Sequence, residues 1–322
     1  MMQLTRRLVA LATLLALVAP AAWAQAYPAH SIRLMVGYPA GGGMDGVGRI
    51  LAQKLGERLG QSVLVDNRPG ASGMLAADAV AKAAPDGYTL LLGETGLLIA
   101  PSISSKVPVD PVKSFTPITN ICALPLTFVV TNDFPARDMQ EFIAALKAAP
   151  GKYTYGSPGI GTVQHFAFEQ FKRAVGVDVR HIPYKGGSTM VPDLIAGRID
   201  IGILSSSAAV GNVRAGKMRA IAVTSTQRVS NLPEVPTVAE VVPNFDAAPR
   251  IFLMGPAGLP PKITAQLAAA VMAALEAKDL QESFVNQGAT VTPAAGGDFR
   301  AAIVAEMERW SAIARVIGIK PE

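Results

Sequence analysis

Residues 32–59 read IRLMVGYPAGGGMDGVGRILAQKLGERL, and this stretch decides the fold. The apolar run over 32–38 suits a buried strand, and the glycines at 41–43 end it. From Asp45 to Leu59 the apolar residues Val47, Ile50, Leu51, Leu55 and Leu59 return at helical spacing. A strand, a glycine turn and a helix make one βα unit. The same grammar continues with a strand at 62–65, a turn at Asn67-Arg68-Pro69-Gly70, a helix at 74–84 and a strand at 88–92. Repeated βαβ units predict a largely parallel sheet with helices on both faces.

A second series begins after Phe115. Strands are expected at 126–131, 153–155, 179–182, 199–204 and 219–224, with helices at 139–149, 162–175 and 189–196 and a short one after 205–207. A strand at 251–255 returns to the first series, and helices at 261–277, 278–286 and 299–317 close the chain. Pro125, Pro243 and Pro249 interrupt the periodicity near 121–127 and 242–250. The chain is therefore expected to form one lobe from 25–124 and 247–322 and another from 125–246. Such a chain leaves a lobe, builds a second and returns, which is the topology of a hinged clamp. Ligands of open α/β sheets sit beyond the C-terminal strand ends, so two facing lobes make one cleft.

Composition narrows the classes. At 322 residues the chain is long enough to divide into two cores. Its net charge of +5 is spread without a basic cluster, and aromatic residues are only 6%, which argues against a nucleic-acid partner. Cys122 is the single cysteine, so no intramolecular disulfide can form. Arg6 and Arg7, the apolar stretch from Leu8 to Val18 and the sequence Ala22-Trp23-Ala24 have the form of a secretory signal peptide cleaved after Ala24. Its apolar part is too short for a helix to cross a bilayer. The expected location is the periplasm, by either Sec or twin-arginine export, and the mature chain is expected to be a soluble monomer.

Glycine and hydroxyl residues gather where strands become helices, at 40–45, 93–96, 156–162, 185–188 and 205–207. Unpaired N–H groups at a helix start form a ready anion site, and glycine lets the guest approach the backbone. One such loop is an ordinary turn, whereas five in one chain point to a shared site for a small carboxylate. An alternative comes from Gly41-x-Gly43-x-x-Gly46 with Asp66 about 20 residues on, the dinucleotide fingerprint of an exported NAD(P)-dependent oxidoreductase. Export, the lack of any Tyr-x-x-x-Lys and the charge of Asp45 inside the turn weigh against it. His30, His165 and His181 are scattered without metal-ligand spacing, and Gly156-Ser157 lacks the nucleophile-elbow pattern. No catalytic residue, metal or cofactor is expected.

The segment Tyr38-Pro39-Ala40-Gly41-Gly42-Gly43-Met44-Asp45 resembles the first-strand loop of the Bug, or TctC-like, family of solute receptors for tripartite tricarboxylate transporters. Further stretches are similar: Val65-Asp66-Asn67-Arg68-Pro69-Gly70, Ala84-Pro85-Asp86-Gly87-Tyr88, Pro183-Tyr184-Lys185-Gly186-Gly187, Leu232-Pro233-Glu234-Val235-Pro236-Thr237, and the ending Gly318-Ile319-Lys320-Pro321-Glu322. The resemblance implies a two-lobed periplasmic binding protein of the type II, Venus-flytrap kind, each lobe a mainly parallel sheet flanked by helices. It implies a carboxylate as ligand, whether a dicarboxylate, a tricarboxylate, an amino acid or an aromatic acid, and membrane permease subunits as partners. Carried over by motif, Pro39, Gly41, Gly42 and Asp45 form the first-lobe loop with Thr95 and Gly96 beside it. Ser157, Gly161, Thr162 and His165 face them from the second lobe, with Ser205 and Ser206 at a neighbouring strand end. The chain departs from the family at Gly43 and Met44, at Glu94, and at Arg250. A buried Arg250 could grip a second carboxylate bidentately, or instead pair with Glu94 or Asp246 or point to solvent.

Overall fold

The computed structural model describes residues 27–319, so the expected signal segment lies outside the described residues. Strand β1 (Ile32–Val36) runs into helix α1 (Gly43–Leu59), which Gly60 ends in the left-handed conformation with its N–H on the Gly56 carbonyl. Then come β2 (Val63–Asn67), α2 (Met74–Ala81), β3 (Thr89–Glu94), the short α3 (Thr95–Ile99) and β4 (Phe115–Ala123). At Leu124-Pro125 the chain passes to β5 (Leu126–Val130), which opens a second sheet. There follow α4 (Met139–Ala148), β6 (Thr154–Ser157), α5 (Val163–Val175), β7 (Arg180–Pro183), α6 (Gly187–Ile195), β8 (Ile201–Ser205), α7 (Ser206–Arg214) and β9 (Arg219–Val223). The chain then returns through β10 (Arg250–Pro256), α8 (Pro261–Leu275), α9 (Lys278–Asn286), β11 (Thr290–Ala295) and α10 (Gly296–Ile317).

The first sheet has the order β11-β4-β10-β3-β1-β2 and the second β7-β6-β8-β5-β9. This is the expected two-lobed α/β architecture, with one correction. Only half of each sheet is parallel: β1 pairs β2 and β3 in parallel, and β6 pairs β7 and β8 in parallel. Strands β10, β4, β11, β5 and β9 join antiparallel. The reason is the chain path. The first crossing leaves by β4 and enters on β5, and the return arrives on β10 between β3 and β4. None of these antiparallel neighbours follow one another through a βα crossover, so nothing imposes parallel direction on their pairing. The sequence pattern also hid β4 and β11, whose Pro117 and Pro293 and polar interruptions break any period.

Each lobe buries apolar residues on both faces of its sheet. On the first, Ile32, Leu34, Val47, Leu51, Leu267, Val271 and Phe284 pack together on one face, and Met35, Leu91, Phe252, Phe299 and Ile303 on the other. The second core centres on Phe128, Phe142, Tyr155, Phe166, Phe168 and Phe171. Trp310 and Ala314, from the last turns of α10, join this second core. Helix α10 therefore does not stay with the first lobe. It starts there with Phe299 and Ile303 and ends against α5, where Trp310 meets Phe166 edge-on at 6.0 Å. The two strand crossings lie side by side, with Leu124 N–H donating to the Pro249 carbonyl and Ala247 N–H to that of Thr224.

Candidate ligand-binding cleft

The C-terminal ends of β1 and β3 face those of β6 and β8. Four helices of nine residues or more start at this junction: α1, α5, α6 and α7. Between them is a narrow inner cavity of about 40 Å³. The first lobe lines it with Tyr38, Pro39, Gly42, Gly43, Met44 and Glu94, and the second with Pro158, Gln164, Gly187, Ser188, Ser205 and Ala208. Past Tyr38 and Pro158 it widens into an outer chamber of about 340 Å³, bounded by Gly70 to Gly73 and by Pro183 to Lys185. The lobes touch across the cleft. The Ser72 hydroxyl donates to the Ile160 carbonyl at 2.6 Å. Gly186 approaches Pro39 so closely that a Cβ there would lie 2.7 Å from the proline ring.

Of the residues expected at the site, Pro39, Gly42 and Ser205 line the inner cavity. Gly42 caps α1, and Ser205 caps α7 by accepting from Ala208 N–H. Others of the set build the loops behind that lining. Asp45 is buried and fully engaged: it accepts from Gly41 N–H and Arg49 Nε, both at 2.9 Å, and from Asn67 Nδ2 at 3.0 Å. Burial alone would raise its pKa, but these hydrogen bonds and the Arg49 charge hold it below the usual carboxylate range. Gly41, at φ +79°, makes the turn that delivers its N–H to Asp45. This also removes that amide from any phosphate, and Asp66 is taken by Arg33 at 2.5 Å. The glycine fingerprint thus serves a loop knot.

In the second lobe Thr162 caps α5, accepting from His165 N–H and donating to the Gly159 carbonyl. Gly161 N–H donates to His165 Nδ1. The imidazole of His165 stacks on that of His181 at 4.3 Å, and His181 Nε2 meets the Ser157 hydroxyl at 2.7 Å. Burial lowers both histidines, His181 to about 3, so the stack is neutral. Ser206 is buried against Thr127 and the Pro125 carbonyl, and Thr95 accepts from Arg250 N–H. Gly96 packs under Glu94 and Tyr38, where a Cβ would lie 2.9 Å from the carboxylate.

Arg250 is not brought to the inner cavity. Alternation along β10 turns its side chain to the α10 face, where it sits 3.7 Å from Glu306 and borders a separate pocket with Asn120, Phe252 and Ile303. Its pairing partner is neither Glu94 nor Asp246, which leaves Glu94 without a cation. Sequence reasoning also missed Gln164. This residue is 8% exposed, lines the cavity, and has a buried Oε1 with no partner. A glutamine in a first helical turn carries no sequence signal of its own.

Comparisons with known proteins agree on one group. Residues 47–319 match the model of the tripartite tricarboxylate transporter family receptor. Protein BugT of Bordetella pertussis is 36% identical over 300 residues, covering 92% of each chain. The solved periplasmic binding protein BugD superposes with a TM-score of 0.88 at 30% identity, over 92% of this chain and 100% of its own. A Rhodopseudomonas palustris protein solved with adipate gives 0.89 at 32% identity, over 92% and 100%. Another from that organism, solved with malate, gives 0.82 at 29%, over 89% and 99%. Members of this group are periplasmic solute receptors and not enzymes. Among the described residues no helix is long and apolar enough to cross a membrane.

Proposed function

The chain belongs to the tripartite tricarboxylate transporter receptor family, and on that premise we propose that it captures a small carboxylate in the periplasm and presents it to the permease subunits of such a transporter. The observation that carries this reading is the convergence of helix starts from both lobes on one narrow cavity. Amide hydrogens at a helix N-terminus attract negative oxygens, and the effect is greatest where water is excluded. Charge-assisted hydrogen bonds contribute about 1.5–3 kcal/mol each, so three to five can reach micromolar affinity, about −8 kcal/mol, after the cost of association. The carboxylates seen in the relatives, adipate and malate, are of a suitable class.

In this reading Pro39, Gly42 and Ser205 touch the guest, joined by Gly43, Gln164 and Ser188. Gly41, Asp45, Thr95, Gly96, Ser157, Gly161, Thr162, His165 and Ser206 hold the loops in register, and Arg250 stays outside. The test is a thermal-shift panel of small carboxylates and dinucleotides on the purified protein, followed by native mass spectrometry. A ligand at 100 times its dissociation constant adds about 2.7 kcal/mol of stability. Stabilisation by a carboxylate and by no dinucleotide supports the reading. Stabilisation by a dinucleotide alone, or by neither, defeats it.

A further inference from the structure

The inner cavity holds one charge that capture of an anion does not explain. Glu94 ends β3, is 6% exposed and lines the cavity. Its carboxylate accepts from the Tyr38 hydroxyl. Among the described residues no Lys, Arg or His lies within ion-pair distance of it. Arg49 is engaged by Asp45 and Arg250 by Glu306, while Lys185 lines only the outer chamber. Burial raises Glu94 to about 7, and the Tyr38 hydrogen bond opposes that rise without cancelling it. Gln164, from the other lobe, lines the same small space, and its buried Oε1 has no partner. Glu94 and Gln164 thus bring two acceptors to the cavity, and no cationic side chain among the described residues lines it with them. A plain dicarboxylate would set a second anion against Glu94 and bind only with that side chain protonated. An ammonium group supplies the missing cation.

We propose that Glu94 is an amine-reading subsite, so that the ligand is a carboxylate that also carries an ammonium group. This rests on the carboxylate-receptor reading above and narrows its ligand class. The guest's carboxylate lies at the starts of α1 and α7, and its ammonium faces Glu94 and the Gln164 carbonyl. Binding then ionises Glu94, which is neutral in much of the free protein at pH 6. Affinity for the amino acid type of ligand therefore rises with pH through about 7, whereas affinity for a plain acid falls over the same interval.

The test is calorimetric titration with matched pairs that differ only in the ammonium group: succinate with aspartate, glutarate with glutamate, butanoate with 4-aminobutanoate. Wild type and Glu94→Gln are compared at pH 6 and pH 8, with melting curves to verify folding, and Glu94→Asp serves as a variant that keeps the charge. In any pair that binds, the amine member is expected to bind at least tenfold tighter to wild type at pH 8. That preference should fall to near parity in Glu94→Gln and persist in Glu94→Asp. If the plain acid binds as tightly as its amine partner, or if the preference survives in Glu94→Gln, the amine subsite is overturned and the carboxylate receptor stands. If no member of any pair binds and no other carboxylate stabilises the protein, both readings fall.

Discussion

At the scale of single residues, the cleft is governed by how closely backbone and side chains approach across it. Gly43 is the sharpest case. A Cβ there would collide with the Ser205 hydroxyl and lie 2.8 Å from Leu124 Cδ2, so the lobes could not close fully. Gly43→Ala is expected to weaken ligand binding at least tenfold, about 1.4 kcal/mol, and to lower the melting temperature of the free protein by a smaller margin as Leu124 gives way. Calorimetry and a melting curve check both parts, because the Ser205 clash exists only between lobes whereas the Leu124 contact lies within the first. Glu94 gives a second residue-scale expectation. Its folded pKa, about 7, lies above the ordinary carboxylate value of about 4.3, so the folded state binds the extra proton between these limits. Stability from this group is present below the unfolded value and is lost as pH rises through about 7. Glu94→Gln should therefore stabilise the free protein at pH 8, by up to about 3 kcal/mol, and give no gain near pH 4. Urea melts at the two pH values measure it.

At the scale of elements, the helix starts are legible and their orientation is not. Thr162 and Ser205 stand as caps before apolar periodic runs, so the beginnings of α5 and α7 could be read from residue type. Which first-turn side chain enters the cavity was not readable, since both Gln164 and His165 follow the same cap. Packing decides it: His165 stacks on His181 and turns away from the position Gln164 takes. The last helix shows the same limit. Its apolar pattern predicted a helix over 299–317, but nothing in that pattern tells that its first half packs on one lobe and its second half on the other. Trp310 is fully buried in the second core, and its Nε1 donates to Glu306 at 2.7 Å. Trp310→Ala is expected to cost about 3–5 kcal/mol by urea denaturation. It should lower protection of α5 amides in hydrogen exchange more than protection of α1 amides, because the cavity opens in the second lobe.

At the scale of the whole molecule, two strand crossings and the α10 strap tie the lobes, and the closed arrangement adds the Ser72 to Ile160 hydrogen bond. That bond can exist only when the lobes meet. Ser72→Ala should then leave the fold intact and reduce ligand affinity by about two- to tenfold, the worth of one hydrogen bond of about 0.5–1.5 kcal/mol, as read by calorimetry.

Apart from β4 and β11, the order of strands, glycine turns and long helices, and the family to which they belong, were determined by the sequence alone, because periodicity and turn chemistry are local properties that survive without knowledge of neighbours. The direction of half the strands, the assignment of α10 to both cores, the exile of Arg250 to the Glu306 side and the isolation of Glu94 were decided by tertiary structure. Each depends on which distant segment comes to lie beside a residue. A strand's pleat, a lobe crossing or a burial site sets that neighbour, and no spacing along the chain records it.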